Sequence, residues 1–355
     1  MEKLRLGRTG MMVSKLGFGG IPIQRLSEKE AVAVVKRCLE LGVTYLDTAN
    51  GYTTSEERIG QAIKGQREKL FIATKTGARN REGVQAHLKL SLQRLGVDYI
   101  DLYQFHGVSD FKNLDMVLEP DGPLAVAQEA KKAGLVRHIG ITSHQMDVAK
   151  KAVQSDLFET IMFPFNFITH EAAEELLPLA RKHDVGFIAM KPLAGGMLDN
   201  PTIAFKYLFQ FPDVVPIPGI EKISEIEEIV GILEKPREMT TAESREMERL
   251  RQELGPRFCH RCDYCQPCTA EIPISTVLTS RSFAKRLPPE RFFSSFIGTG
   301  IDRAADCSEC GDCETRCPYH LPIIEMLAEQ VKWYRAEKKR YDKLVASRGA
   351  NKSQP

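Results

Sequence analysis

Eight of the nine cysteines of this 355-residue chain are crowded between residues 259 and 317. They form two groups of four, with the spacings Cys259-x2-Cys262-x2-Cys265-x2-Cys268 and Cys307-x2-Cys310-x2-Cys313-x3-Cys317-Pro318. Thiolates two residues apart on a tight loop can bind three corners of an iron–sulfur cubane. Zinc sites instead pair two Cys-x2-Cys units across a dozen or more residues. The crowding therefore favours two 4Fe–4S clusters over two zinc ions.

The second cysteine group resembles the ligand run of bacterial two-cluster ferredoxins, in which the fourth cysteine binds the other cluster. The two groups also look like copies of one turn, because Ile272-Pro-Ile follows Cys268 as Leu321-Pro-Ile follows Cys317. The resemblance implies crossed ligand sets, which are Cys259, Cys262, Cys265 and Cys317 for one cluster and Cys268, Cys307, Cys310 and Cys313 for the other. The first group departs from the ferredoxin pattern at Thr269, where proline would stand, and self-contained ligand sets are the alternative.

A second set of chemically active residues lies at the ends of three successive strand-like segments. Asp47 lies at the end of the segment 44–48 and Tyr52 follows that segment, Lys75 ends the next and His106 ends the one after. In a parallel barrel these strand ends share one face, where the four side chains would converge. Such a set suits carbonyl reduction, because the Tyr52 phenol could protonate the carbonyl oxygen as hydride reaches the carbon. Lys75 would favour proton release from the phenol, Asp47 would hold Lys75, and His106 would orient the carbonyl.

Strand-like and helix-like segments alternate over the first ~240 residues, which predicts parallel strands joined by crossover helices. The expected strands are 14–20, 44–48, 70–75, 100–106, 138–142, 160–165, 186–191 and 214–218. The expected helices are 27–40, 54–64, 82–95, 124–133, 146–154, 171–183, 202–209 and 224–233, with capping boxes at Ser27/Glu30 and Thr54/Glu57. Eight such units have the size of a (β/α)8 TIM barrel, and no Gly-x-Gly-x-x-Gly turn supports a doubly wound sheet.

We divide the chain into a barrel (1–238), a linking helix (239–256), a small C-terminal ferredoxin-like iron–sulfur domain (257–325) and a charged helix with a flexible tail (326–355). The net charge of +2 does not indicate nucleic acid as a partner. The chain start lacks the apolar core of a signal peptide, and no apolar run approaches the ~18 residues of a membrane span. We therefore expect a soluble, cytoplasmic protein without membrane insertion, with Cys38 in the core.

The motifs of the first 235 residues resemble those of the aldo-keto reductase family. They are Leu6-Gly-Arg-Thr-Gly, Asp47-Thr-Ala with Tyr52, Ser55-Glu-Glu-Arg-Ile-Gly, Lys75, His106, Gly140-Ile-Thr-Ser and Pro216-Ile-Pro-Gly. More narrowly, the chain is similar to the branch of that family with a C-terminal ferredoxin-like domain. The resemblance implies a (β/α)8 barrel, NADP(H), reduction of aldehydes or ketones, and the catalytic tetrad Asp47, Tyr52, Lys75 and His106.

The resemblance also implies positions that bind the nicotinamide cofactor. They are Ser143 and His144 in place of the usual Ser-Asn pair, Asn166, Gly219 and Lys222. Met162 stands where glutamine is common, and Met190 stands where an aromatic residue usually stacks on the nicotinamide. The catalytic residues are thus retained while several cofactor contacts are altered.

The favoured hypothesis is an oxidoreductase that reduces or oxidises a small carbonyl or alcohol substrate, with the two clusters passing electrons. A hydride carries two electrons, whereas a 4Fe–4S cluster carries one. The two clusters would therefore act together, or a flavin would intervene, or the clusters would not take part in the barrel reaction. The alternatives are an electron-transfer protein whose barrel is a binding scaffold, and a reductase with oxygen-sensing clusters. A ferredoxin or other electron carrier is a candidate partner, with docking expected at Arg281, Lys285, Arg286 and Arg291.

Overall fold

The computed structural model describes the backbone of residues 1–351 and the side chains of residues 1–347. The chain forms two compact units, Met1–Arg251 and the part that begins at Gln252. The helix α11 (Thr241–Leu254) occupies most of the segment that was expected to link them. In the part of the chain that the structure describes, no helix is long and apolar enough to cross a membrane.

The first unit is the predicted barrel of eight parallel strands. Two further short strands precede them, so the barrel strands are numbered from β3. They are β3 (Phe18–Gly19), β4 (Tyr45–Asp47), β5 (Phe71–Thr76), β6 (Ile100–Phe105), β7 (Val136–Thr142), β8 (Thr160–Pro164), β9 (Gly186–Met190) and β10 (Val214–Ile217). Each strand pairs with the next in chain order. A parallel bridge between Gly19 and Gly219 and the bond from the Gly19 amide to the Pro218 carbonyl (2.8 Å) join the first strand to the last.

An antiparallel hairpin before the barrel was not predicted. Its strands β1 (Lys3–Arg5) and β2 (Met12–Ser14) pair with each other, so the expected strand 14–20 is wrong over its first part. Apolar hairpin side chains pack with residues inside the barrel such as Leu102 and Val215. The Arg8 amide bonds to the Asp184 carbonyl, just before β9. The hairpin therefore covers the amino ends of the strands and leaves their carboxyl ends to a site.

The barrel helices follow the predicted order with three differences. They are α1 (Glu28–Glu40), α2 (Ser55–Ala62), α3 (Arg81–Leu95), α4 (Phe111–Leu118), α5 (Pro123–Lys132), α6 (Met146–Gln154), α7 (Ala172–Glu175), α8 (Leu177–Lys182), α9 (Pro201–Phe209) and α10 (Ile223–Leu233). Helix α4 was not predicted, and the expected helix 171–183 is interrupted before Pro178, whose ring and missing N–H oppose a continuous helix. Ser27 forms the expected capping box with Glu30, whereas the Thr54 side chain makes no capping bond. Cys38 is fully buried, as expected.

The second unit consists of helices and turns, with no β-strand among its described residues. Its helices after α11 are α12 (Ile274–Leu278), α13 (Ser280–Ala284), α14 (Pro289–Ser294), α15 (Phe296–Ala305), α16 (Asp312–Thr315) and α17 (Ile323–Asn351). A core that includes Ile272, Val277, Ile301 and Leu327 packs against the cysteines. Helix α17 continues through residues where a flexible tail was expected, and residues 352–355 of that tail lie outside the described part.

Candidate functional site

The four residues expected to form a catalytic tetrad come together at the carboxyl ends of three adjacent strands. Asp47 is the last residue of β4, Lys75 lies near the end of β5, and His106 directly follows β6. Tyr52 lies in the short segment between β4 and α2, where its amide donates to the Ala49 carbonyl (2.9 Å). The parallel order of β4, β5 and β6 is what places these residues side by side.

Asp47 and Lys75 form an ion pair in the barrel interior, with only 2% and 1% of each residue exposed. The Lys75 ammonium also donates to the Thr48 carbonyl (2.7 Å). Burial alone lowers the pKa of Lys75, but the combined effects of Asp47, Tyr52 and Glu56 outweigh burial and leave that pKa raised. Burial also raises the pKa of Asp47, against the opposing effect of Lys75. Lys75 is therefore a buried cation, and the Asp47 carboxylate is its counterion.

Tyr52 lies between the ammonium and the histidine. The Lys75 Nζ atom is 5.2 Å from the centre of the Tyr52 ring. The rings of Tyr52 and His106 meet edge to face, with 5.6 Å between their centres. Both residues are half-buried, so the site is open to a ligand. The arrangement offers a phenol, an imidazole and a buried cation to one small molecule.

The expected nicotinamide contacts lie after β7 and β8, where the side chains of Ser143 and Asn166 bind the protein itself. The Ser143 hydroxyl is buried and accepts a bond from the Gln145 amide (3.2 Å). The Asn166 oxygen accepts from the Ile168 and Thr169 amides (2.9 Å each), and its nitrogen donates to the Lys191 carbonyl. Asn166 thus braces its own loop. The His144 amide donates to the Ser109 hydroxyl (2.9 Å), and its ring is half-buried.

The remaining expected cofactor positions lie between β10 and α10. A Cβ on Gly219 would come within 2.6 Å of the Pro22 ring, so this position requires glycine. Lys222 precedes α10 and is exposed. The Glu225 carboxylate accepts from the Glu221 and Lys222 amides (2.7 and 3.0 Å) and so neutralises part of this helix N-terminus. A bound phosphate would have to share these amides with Glu225.

The eight clustered cysteines line two cavities in the second unit. Cavity A is lined by Cys259, Cys262, Cys265 and Cys317. Cavity B is lined by Cys268, Cys307, Cys310 and Cys313. These are the two crossed sets that the ferredoxin resemblance implies. None of the eight forms a disulfide, and within the described residues no group of three or more His, Cys, Asp or Glu side chains is placed to hold a metal ion.

The backbone repeats around the two cysteine groups. Arg261 and Asp263, on either side of Cys262, have φ of 62° and 61°. Glu309 and Gly311 flank Cys310 in the same way, with φ of 53° and 82°. Alternation of left-handed and right-handed residues points successive N–H groups into one concavity, a shape that recurs at iron–sulfur sites.

The shared tails of the two groups repeat as well. Glu271 and His320, each three residues after the last cysteine of its group, both have φ of 50°. Their amides donate to the carbonyls of Cys268 and Cys317 (2.9 and 3.1 Å). A helix then begins at Ile274 in one copy and at Ile323 in the other. The sequence repeat is therefore a repeat of backbone conformation.

Comparison with known proteins identifies the family. The profile of the Aldo/keto reductase family matches residues 15–202, more than half of the chain. The chain belongs to this family. Over 212 residues it is 34% identical to the uncharacterized oxidoreductase YqkF of Bacillus subtilis, covering 56% of this chain and 67% of that one.

Solved structures agree with the barrel of this aldo-keto reductase. The holo form of aldo-keto reductase AKR11C1 from Bacillus halodurans matches with a TM-score of 0.62 and 27% identity, over 70% of this chain and 96% of that chain. The aldo-keto reductase from Klebsiella pneumoniae in complex with NADPH matches with a TM-score of 0.59 and 20% identity, over 70% and 94%. Membership of the family makes the protein an oxidoreductase that acts on carbonyl or alcohol substrates.

Several residues at these sites were not singled out from the sequence. Thr48 and Gln104 contact the ion pair, and their roles depend on strand register. His260 and Tyr319 stack face to face at the edge of cavity A, with 3.7 Å between ring centres. Each of these two aromatic residues lies one or two positions from a cysteine, which is the signal that could have found them.

Proposed function

We propose that this aldo-keto reductase interconverts a carbonyl and an alcohol at Asp47, Tyr52, Lys75 and His106, with NADP(H) as cofactor and two 4Fe–4S clusters passing electrons. The observation that carries the first part is the buried Lys75–Asp47 pair beside the Tyr52 phenol. An ammonium that is held charged in a dry interior acts on a neighbouring phenol far more strongly than one in water.

In the reducing direction, the Tyr52 hydroxyl gives its proton to the carbonyl oxygen, and the product is the alcohol. Lys75 favours this transfer, because its positive charge stabilises the phenolate that is left behind. His106, edge to face with Tyr52, orients the carbonyl and donates a hydrogen bond to its oxygen. Solvent then returns a proton to Tyr52. A bound nicotinamide would supply the hydride that the carbon receives.

The residues after β7, β8 and β10 fit a dinucleotide in part. The Klebsiella relative binds NADPH. Here the exposed Lys222 directly precedes α10, and a helix start of this kind favours an anion such as phosphate; Gly219 keeps the chain close to Pro22. Ser143 and His144 would face the nicotinamide amide, while Asn166 would support the loop that does so. Glu225 already binds the Glu221 and Lys222 amides, which disfavours the 2′-phosphate that distinguishes NADPH from NADH. The two cofactors should therefore be compared directly.

The two cysteine-lined cavities fit 4Fe–4S clusters. Each has four thiols, concave backbone N–H groups and a lining otherwise rich in apolar atoms such as those of Ile272 and Leu321. We assign Cys259, Cys262, Cys265 and Cys317 to the cluster of cavity A, and Cys268, Cys307, Cys310 and Cys313 to that of cavity B. Bound clusters would supply one-electron transfer.

Cavity B is the better candidate for exchange with an outside carrier, because its Cys310 is exposed, whereas the four cysteines of cavity A are buried or half-buried. A ferredoxin or another small electron-transfer protein would be the partner. Arg281 and Arg286, which stack on Trp333 and Phe283, belong to the basic segment that could attract its acidic surface.

The test of the proposed function is Tyr52→Phe in anaerobically purified protein. We expect carbonyl turnover to fall by about 10²–10⁴-fold, the usual contribution of general acid catalysis, with the iron content and cluster absorbance unchanged. Aldehydes and ketones should be assayed with NADPH, NADH and a chemically reduced ferredoxin. Full activity of the variant with any of these donors would refute the assignment and favour an electron-transfer protein whose barrel is a scaffold.

A second measurement separates the roles of the clusters. If they take part in turnover, NADPH or NADH alone should bleach the cluster absorbance of the anaerobic protein, and the aldehyde should restore it. Turnover without any change in that absorbance would instead indicate a conventional reductase with clusters that serve sensing or structure.

A further inference from the structure

Gln104 contacts the buried ion pair from the third strand of the site. Its side-chain nitrogen donates to the second carboxylate oxygen of Asp47 (3.0 Å), while the first oxygen binds Lys75. Gln104 lies opposite Lys75 in the ladder between β6 and β5 and is completely buried. A carboxylate can only accept hydrogen bonds, so the atom that faces Asp47 must be the amide nitrogen.

The orientation of the Gln104 amide leaves its own oxygen without a partner. That oxygen is buried and has no hydrogen-bond donor within the described residues. A buried acceptor without a donor costs free energy, and apolar side chains would fill the same space without that cost. Since Gln104 has this cost, its role must lie in the bond that its nitrogen donates to Asp47.

We propose that Gln104 is a positioning residue of the reaction, which holds Asp47 as a carboxylate facing Lys75. The inference rests on the proposed function of the tetrad. A hydrogen bond to the charged form of an acid favours that form, and here it opposes the burial that favours protonation. If Asp47 took up a proton, Lys75 would lose its counterion in the barrel interior, and Tyr52 would lose the neighbouring cation.

Other charged or titratable groups also act on this pair and must be kept constant. Tyr45 lies on the same strand as Asp47, and Glu56 of α2 lies close enough to favour the charged form of Lys75. Tyr52 also favours the charged form of Lys75, and His106 contacts the Tyr52 ring. Variants of Gln104 alone leave all of these groups in place.

The test is the pH profile of kcat and KM for carbonyl reduction by Gln104→Leu. Losing a hydrogen bond to a charged group should move the acid limb of kcat to higher pH by roughly 1 unit. KM should change little, because Gln104 is buried away from a ligand. Thr160→Val is the matched control, since the buried Thr160 hydroxyl also has no partner within the described residues and makes no bond to Asp47. Its profile should equal that of the unmodified protein.

Gln104→Glu gives the second readout, which stands even if the leucine variant does not fold. A protonated Glu at 104 can donate to Asp47 as the amide does, but after ionisation it places a second negative charge beside Asp47. Activity should therefore persist at low pH and fall on the alkaline side earlier than in the unmodified protein. Unshifted profiles in the variants that fold would overturn the inference. Tyr52→Phe, measured in parallel, separates this outcome from failure of the proposed function, which requires that variant to be inactive.

Discussion

Lys75→Met tests whether the buried ion pair is the centre of the barrel site. The substitution keeps the length of the side chain and removes its charge, so Asp47 would stay in a dry interior with the Gln104 amide as its remaining side-chain partner among the described residues. Breaking a buried pair by removing one member typically costs about 3–5 kcal/mol. With 1–2% exposure of the two residues, solvent screening reduces this cost little.

The double variant Asp47→Asn/Lys75→Met isolates the coupling between the two residues. It leaves no uncompensated charge, and we expect it to be more stable than Lys75→Met by about 2 kcal/mol or more. All the variants that lack Lys75 should have lost carbonyl turnover, because Tyr52 needs the cation. Stability and activity should thus separate, with stability recovered in the double variant and activity not.

Urea unfolding followed by far-ultraviolet circular dichroism measures the free energies, with the fluorescence of Trp333 as an internal reference. Trp333 is the single tryptophan of the chain and lies in the second unit. Its unfolding transition should shift less than the dichroism signal in the barrel variants. The single variant Asp47→Asn completes the comparison. If the changes in unfolding free energy of Asp47→Asn and Lys75→Met add up to that of the double variant within ~0.5 kcal/mol, the reasoning is refuted, since Asp47 and Lys75 would then not depend on each other.

Three further predictions concern the clusters and the barrel. Anaerobic preparations should contain about eight iron and eight sulfide per chain, as two 4Fe–4S clusters require, and zinc without sulfide would contradict the assignment. Cys317→Ser and Cys259→Ser should perturb the same cluster by electron paramagnetic resonance and Cys307→Ser the other, whereas self-contained ligand sets would pair Cys317 with Cys307. Burial alone would raise the pKa of Glu159, but bonds from His138 and other groups lower it to about 2. Stability should therefore be lost as pH falls from about 4.5 towards 2, by on the order of 2–3 kcal/mol, and Glu159→Gln should flatten this dependence.

The barrel could be predicted because its units are regular and long enough to show a period. The sequence could not reveal elements that are too short or depend on tertiary contacts. The three-residue strands β1 and β2 carry no readable alternation, and α4 lies where only one helix was expected between strands. Thr54 has the residue type of a helix cap but a backbone ψ of 1°, far from the extended conformation that lets Ser27 cap α1.

The candidate site divides in a similar way. Asp47, Tyr52, Lys75 and His106 could be proposed from strand ends, since the carboxyl ends of parallel strands must lie together. Gln104 could not be placed from the sequence, because its bond to Asp47 crosses a strand and depends on the register of β6 against β5. For Asn166 the motif predicted a contact with the cofactor, but the sequence could not show that its side-chain atoms bind the protein itself.

The strained backbone around the cysteines bears on the stability of the second unit. Arg261, Asp263, Glu271, Glu309 and His320 all have left-handed φ although none is glycine, at a cost on the order of 1 kcal/mol each. Such conformations persist only where the surrounding structure determines them, and the core of this unit is small. Four thiolates bound to one cluster would fix the loops that carry these residues, as metal binding supplies folding free energy in other small domains. In that view the second unit depends on its cysteines for stability, whereas the barrel depends on the packing of its eight strands.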